Sequence, residues 1–149
     1  MGALVYLGVK FLAYSGWLYF GLYRLRGSKP GLGRAAAFGF LRLLMGFFFG
    51  VLIYLASSWV VTRLGPGLGL GLARDVAAYL LVYVPVRWVE WSIMAVLVSP
   101  RPVGPIGMVL GADAGDRGWR AGGILISCLA DIPLVASLGG VIPTGRFLC

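Results

Sequence analysis

The stretch that most limits how this chain can fold is residues 84–94, VPVRWVEWSIM, where Arg87 and Glu90 stand inside a run that is apolar on both sides. A charge at the centre of a membrane helix costs about 2.5–3.5 kcal/mol on the insertion scale before it finds a partner. A helix holding two of them must turn them toward other helices that supply counter-charges. The chain therefore needs several apolar helices packed together.

Composition agrees. The 149 residues are 60% hydrophobic and 12% charged, with a mean hydropathy of +0.92, whereas ordinary soluble domains carry about 25% charged residues. A soluble chain of this size has to cover itself with polar groups, and there are too few here to do so. The length suits one compact bundle and leaves no room for a second domain. The net charge of +8 comes from 13 Lys and Arg against 5 Asp and Glu. The basic residues mostly flank apolar runs, which points to anionic headgroups and membrane orientation rather than nucleic acid.

Four apolar runs, residues 3–23, 35–61, 76–98 and 121–142, are each long enough to cross a hydrocarbon core of about 30 Å. The expected fold is an all-α integral membrane protein, a four-transmembrane-helix bundle with short loops. The first run lacks the basic start and small-residue cleavage site of a signal peptide, so it is read as a retained helix. Loop 24–34, RLRGSKPGLGR, carries Arg24, Arg26, Lys29 and Arg34 and no acid. The positive-inside rule puts this loop on the cytoplasmic side and both termini on the opposite side. The same four cations are candidate contacts for anionic lipid. Residues 62–75 read as a Gly-rich turn without the G-K-[ST] ending of a phosphate loop. Pro100, Pro102 and Pro105 keep the start of the last connection extended, and residues 106–110 are apolar enough to dip into the interface. Asp113, Asp116 and Arg117 form no complete calcium loop.

Depth follows from the rise of about 1.5 Å per helical residue. Arg87 lies roughly 17 Å into the third run, and Asp131 roughly 15 Å into the fourth from the other face, so both reach the midplane. Glu90 and Arg42 lie roughly 9 and 10 Å from the basic-loop face. Level-matching predicts that Arg87 pairs with Asp131 and Glu90 with Arg42. Arg87 and Glu90 can also meet directly at i, i+3. Lys10 finds no partner by level. Its long stem suits snorkelling to headgroups, or a contact with another subunit.

Catalytic and metal signatures are missing from the sequence. There is no His, and the two cysteines, Cys128 and Cys149, make a poor metal site. Ser127 or Cys128 beside Asp131 offers a nucleophile with no base to activate it, so a lipid-modifying enzyme is the least favoured reading. Aromatic, Arg-lined pockets leave little sequence signature, so the sequence leaves a bound redox cofactor open. The favoured function is a non-catalytic structural or accessory subunit of a larger membrane complex, in contact with other membrane subunits or with copies of itself. The alternative is a small oligomeric transporter or channel using Glu90 and Asp131 with Arg87, because intramembrane charges next to helix breaks such as Pro85 and Pro133 mark ion sites.

Overall fold

The computed structural model describes residues 2–26, 31–64, 71–98 and 104–137. It is all-helical over these residues, with no strand. Five helices follow in order: α1 (Gly2–Arg26), α2 (Leu32–Leu64), α3 (Gly71–Val98), α4 (Pro105–Leu110) and α5 (Ala114–Ser137). Two are long and apolar enough to cross a membrane, over Leu32–Ala56 in α2 and Leu80–Val98 in α3. These two spans are counted among the described residues; α1 carries Lys10 within its apolar run, and α5 carries Asp116, Arg117, Arg120 and Asp131.

The helices exceed the apolar runs at their ends. α2 continues to Leu64 and α3 begins at Gly71, so much of the expected Gly-rich turn is helical; residues 65–70 lie outside the described residues. α5 starts at Ala114, well ahead of its apolar run. Asp113 explains that start. Its side chain accepts the amide of Asp116 at 2.8 Å, as an N-terminal capping group does. α3 runs through Pro85 without ending.

The four long helices close into a ring. α1 packs on α2 and α5, α3 packs on the same two helices, and α1 also touches α3 across the middle. Paired contacts fix their directions. Trp17 in α1 meets Trp119 in α5, and Tyr6 meets Asp131. Ser92 in α3 meets Arg120, and Tyr83 meets Asp131. Going up α5 thus means going down α1 and α3, so α5 is antiparallel to both. α2 is antiparallel to α1, since Gly39 lies against Ser15 while Arg42 covers Tyr14.

The core is aromatic as well as aliphatic. Trp91 stands edge-on to Tyr14 and to Trp119, with ring centroids 6.0 and 5.3 Å away, an arrangement that matches positive ring edges to negative faces. Leu18, Leu22, Met94 and Val98 fill around them. Close approach of α5 depends on glycine at two positions. A Cβ at Gly123 would collide with the Trp91 indole, and one at Gly122 with the Trp17 indole. Gly16, by contrast, has open space beside it.

These environments predict opposite outcomes for one substitution. Gly123→Ala should lower the unfolding midpoint in mild detergent, with overpacking costing about 1–3 kcal/mol. Gly16→Ala should leave it unchanged or raise it slightly, because alanine favours helix by up to about 1 kcal/mol. Equal midpoints for the two variants would contradict the packing of Trp91 on α5.

Candidate functional site

Lys10, Arg42, Arg87, Glu90 and Arg120 of the long helices gather in the interior, while Arg24, Arg34, Arg63 and Arg117 are exposed. α3 places Arg87 and Glu90 one turn apart on its inward face, and α2 brings Arg42 to the same level. The Glu90 carboxylate receives both cations on one oxygen. Arg42 Nη2 donates to Oε2 at 2.5 Å, and Arg87 Nη1 donates to it at 2.6 Å. All three side chains are 0% exposed. Both pairings anticipated for Glu90, with Arg42 across helices and with Arg87 along its own, are therefore present together. The guanidinium faces are covered by rings. Arg42 lies 5.0 Å from the Tyr14 ring centre and 5.1 Å from that of Trp91, and Arg87 lies 4.8 Å from Tyr83. Such stacking stabilises a desolvated cation by about 2 kcal/mol. It compensates Arg42, whose Nε and Nη1 have no hydrogen-bond partner.

Asp131 is held differently from the level-matched expectation. Its ion-pair partner is Lys10 of α1, with Nζ 2.6 Å from Oδ1. The Tyr6 hydroxyl donates to the same oxygen at 2.6 Å, and the Tyr83 hydroxyl donates to Oδ2 at 3.0 Å. Arg87 meets this group by way of Tyr83, whose ring it covers and whose hydroxyl binds Asp131. Lys10 does not snorkel. It is 2% exposed and turned inward, because a carboxylate within reach of its stem offers more than a distant headgroup. Asp131 itself keeps 14% exposure.

A third buried group was not anticipated. Arg120 of α5 is fully enclosed and makes five hydrogen bonds. Two go to the Asp116 carboxylate, at 2.7 and 3.1 Å. The others go to Ser92 Oγ of α3 and to the carbonyls of Met108 and Gly107 in α4. Asp116 also accepts the amide of Ala112. Arg120 thus pins the short helix α4 across the end of α3 and α5, helped by the Trp88 indole donating to the Val109 carbonyl at 2.7 Å. The Asp116–Arg120 spacing of four was the available signal.

Taken together, four cations (Lys10, Arg42, Arg87, Arg120) meet three carboxylates (Glu90, Asp116, Asp131) inside the bundle. Of the basic-loop residues, Arg24 and Arg34 are exposed. Lys29 lies outside the described residues, as does the side chain of Arg26. Ser127 is unavailable as a nucleophile, since its hydroxyl donates to the Gly123 carbonyl and accepts Trp91 Nε1. No cluster of three metal-ligating side chains occurs among the described residues. A cleft of about 520 Å³ opens between α1 and α2 beside Lys10 and Tyr6, and hydrocarbon from Phe11, Phe40, Leu44 and Phe47 lines it. No family model, curated protein or solved structure matches this chain.

The Glu90 junction should behave as a coupled unit. Glu90→Gln leaves two guanidiniums without their shared carboxylate and should cost about 3–5 kcal/mol. Adding Arg42→Met should return part of that loss in a denaturation titration of the reconstituted protein. Strictly additive losses would contradict the pairing.

Proposed function

We propose that the chain is a multi-pass integral membrane protein of four spanning helices, α1, α2, α3 and α5, acting as a non-catalytic structural or accessory subunit of a membrane complex. One observation carries this reading, the inverted distribution of polarity. Lys10, Arg42, Arg87, Glu90, Asp116 and Arg120 are buried, while Leu12, Phe40, Phe48, Leu52, Leu81, Val89, Leu125 and Leu129 are exposed on the outer faces of all four helices. Soluble monomers rarely expose contiguous apolar patches beyond a few hundred Å². In lipid the same faces are the stable ones, and the charges must go inside. α4 fits beside the bilayer surface, with Ile106, Met108, Val109 and Leu110 all exposed. Loop 24–34 stands on the cytoplasmic side by its excess of cations.

The structural role is favoured over transport by the closure of the Glu90 junction. Arg42, Arg87 and Glu90 are sealed by rings and by one another, and the cleft beside Lys10 is lined by hydrocarbon. Conduction needs polar groups that water or an ion can reach. Buried ion pairs of this kind serve best to fix register and partner choice. The transport reading keeps one foothold, the partial exposure of Asp131.

Affinity purification of the tagged full chain from its native membrane in mild detergent separates these readings. A stoichiometric complex with other membrane proteins, unchanged in composition by Asp131→Asn, is the expected result. A homogeneous species of this chain alone that conducts protons or cations after reconstitution, and loses conduction with Asp131→Asn, would favour the transporter instead.

A further inference from the structure

We propose that α4 is a re-entrant wedge, a short helix that enters the bilayer from the side of loop 24–34 and presents its apolar side chains to lipid acyl chains below the headgroups. The proposal rests on the membrane reading above and carries it further, from α4 beside the bilayer surface to α4 beneath it. Two side chains of α3 set the depth. The Trp88 indole donates to the Val109 carbonyl, and Ser92 shares Arg120 with the carbonyls of Met108 and Gly107. Trp88 and Ser92 stand roughly 15 and 9 Å short of the end of α3 at Val98. The C-terminal half of α4 is therefore held beside the apolar span Leu80–Val98 and not beyond it. The side of entry follows from α5, which begins next to Arg24, since Arg24, Ala114 and Gly115 line one hollow.

The way α4 ends is an independent sign of a water-poor setting. The last carbonyls of a helix have no partner within it. At a wet surface water supplies the donors, whereas in hydrocarbon the protein itself must do so. Here it does. Arg120 Nη1 donates to the Met108 carbonyl at 2.7 Å, Arg120 Nη2 to that of Gly107 at 3.2 Å, and Trp88 Nε1 to that of Val109 at 2.7 Å. The Gly107 carbonyl also accepts the Gly111 amide at 2.9 Å. At the other end Pro105 opens the helix and has no amide to satisfy. Gly111, at a φ of 87°, then turns the chain out of α4, and Asp113 caps α5 directly afterwards.

The chemistry of the outward side selects acyl chains. Residues 104–112, GPIGMVLGA, carry no charge, and Ile106, Met108, Val109 and Leu110 are all exposed. Val89, next to Trp88 on α3, is exposed at the same level, so the surface of α4 continues the outer apolar face of α3. The exposed charges Asp113 and Arg117 come only where the chain passes into α5. With its end carbonyls taken from inside, α4 keeps little polar surface for a protein partner to read. Its 6 residues make fewer than two turns, too short a seam for a partner helix.

The test attaches an environment-sensitive fluorophore to a single cysteine placed at Val109, Arg34 or Leu81 of the full chain, with Cys128 and Cys149 changed to serine. The labelled chains are reconstituted in phosphatidylcholine vesicles. Emission is then quenched by lipids carrying a nitroxide on the acyl chain, or by iodide in the water. At Val109 the acyl nitroxide should quench and iodide should not, and at the exposed Arg34 the order should reverse. Iodide quenching at Val109 equal to that at Arg34 would put α4 in water and overturn the proposal. Quenching by neither agent would show a second copy of the chain over this face and overturn lipid as the occupant. Trp88→Phe keeps a ring but removes the donor to Val109, and should raise iodide quenching at position 109; an unchanged value would overturn the part given to the carbonyl caps. The label at Leu81, on the outer face of α3, keeps the two readings apart. Acyl quenching at Leu81 without any at Val109 sinks this proposal alone, whereas iodide reaching Leu81 as freely as Arg34 sinks the membrane reading beneath it.

Discussion

The bundle depends on one carboxylate oxygen. Glu90 Oε2 receives Arg42 from α2 and Arg87 from its own helix, and all three side chains are fully buried. In hydrocarbon none of these three groups is tolerable alone, and each pairing relieves the others. Shifting α2 along α3 by a single turn, about 5.4 Å, would break the interhelical pair and leave Arg42 stranded. The junction therefore sets the register of α2 against α3. The rings of Tyr14, Trp91 and Tyr83 wall it in and hold the guanidinium planes. Below it, Lys10, Tyr6 and Tyr83 converge on Asp131 and lock α1, α3 and α5. Above it, Arg120 locks α5, α3 and α4. Each layer of polar contacts ties a different set of helices.

On the membrane reading proposed above, this division of labour follows from the absence of a hydrophobic drive between helices in lipid. Packing of small residues and polar bonds must hold such helices together. Gly122 and Gly123 let the Trp17 and Trp91 indoles press onto α5, and the charge groups supply direction and specificity. The outer faces contribute little to choosing the fold, being apolar nearly all round α2 and α3.

The charged core was partly legible in the sequence. Arg42 and Glu90 could be matched because both sit in long uninterrupted runs, where the rise per residue converts position into depth. Asp131 was matched to Arg87 by the same rule, and its ion pair in the structure is with Lys10. The two lie about 5 Å apart in estimated depth, and a lysine stem spans that distance. Backbone level is thus a good guide for short side chains and a loose one for long cations. Arg120 went unread for a different reason. Its run begins beside it, so its burial is created by α4 folding over the end of the bundle, a tertiary contact with no periodicity to reveal it. Of the fold, the all-helical class and the approximate positions of the long helices were readable from the apolar runs. The early start of α5 was not, because its first two turns are polar and are held by the Asp113 cap and the Asp116–Arg120 pair.

The membrane reading requires lipid at the apolar outer faces of all four long helices and the buried ion pairs sealed between them. Spin labels at Leu12, Phe48, Leu81 and Leu125, one on the outer face of each helix, test this directly in proteoliposomes. Power saturation should show high collision rates with oxygen and low rates with a water-soluble nickel chelate at all four positions. Nickel access equal to that of an exposed loop label, at α1 or α5 in particular, would contradict the four-span bundle.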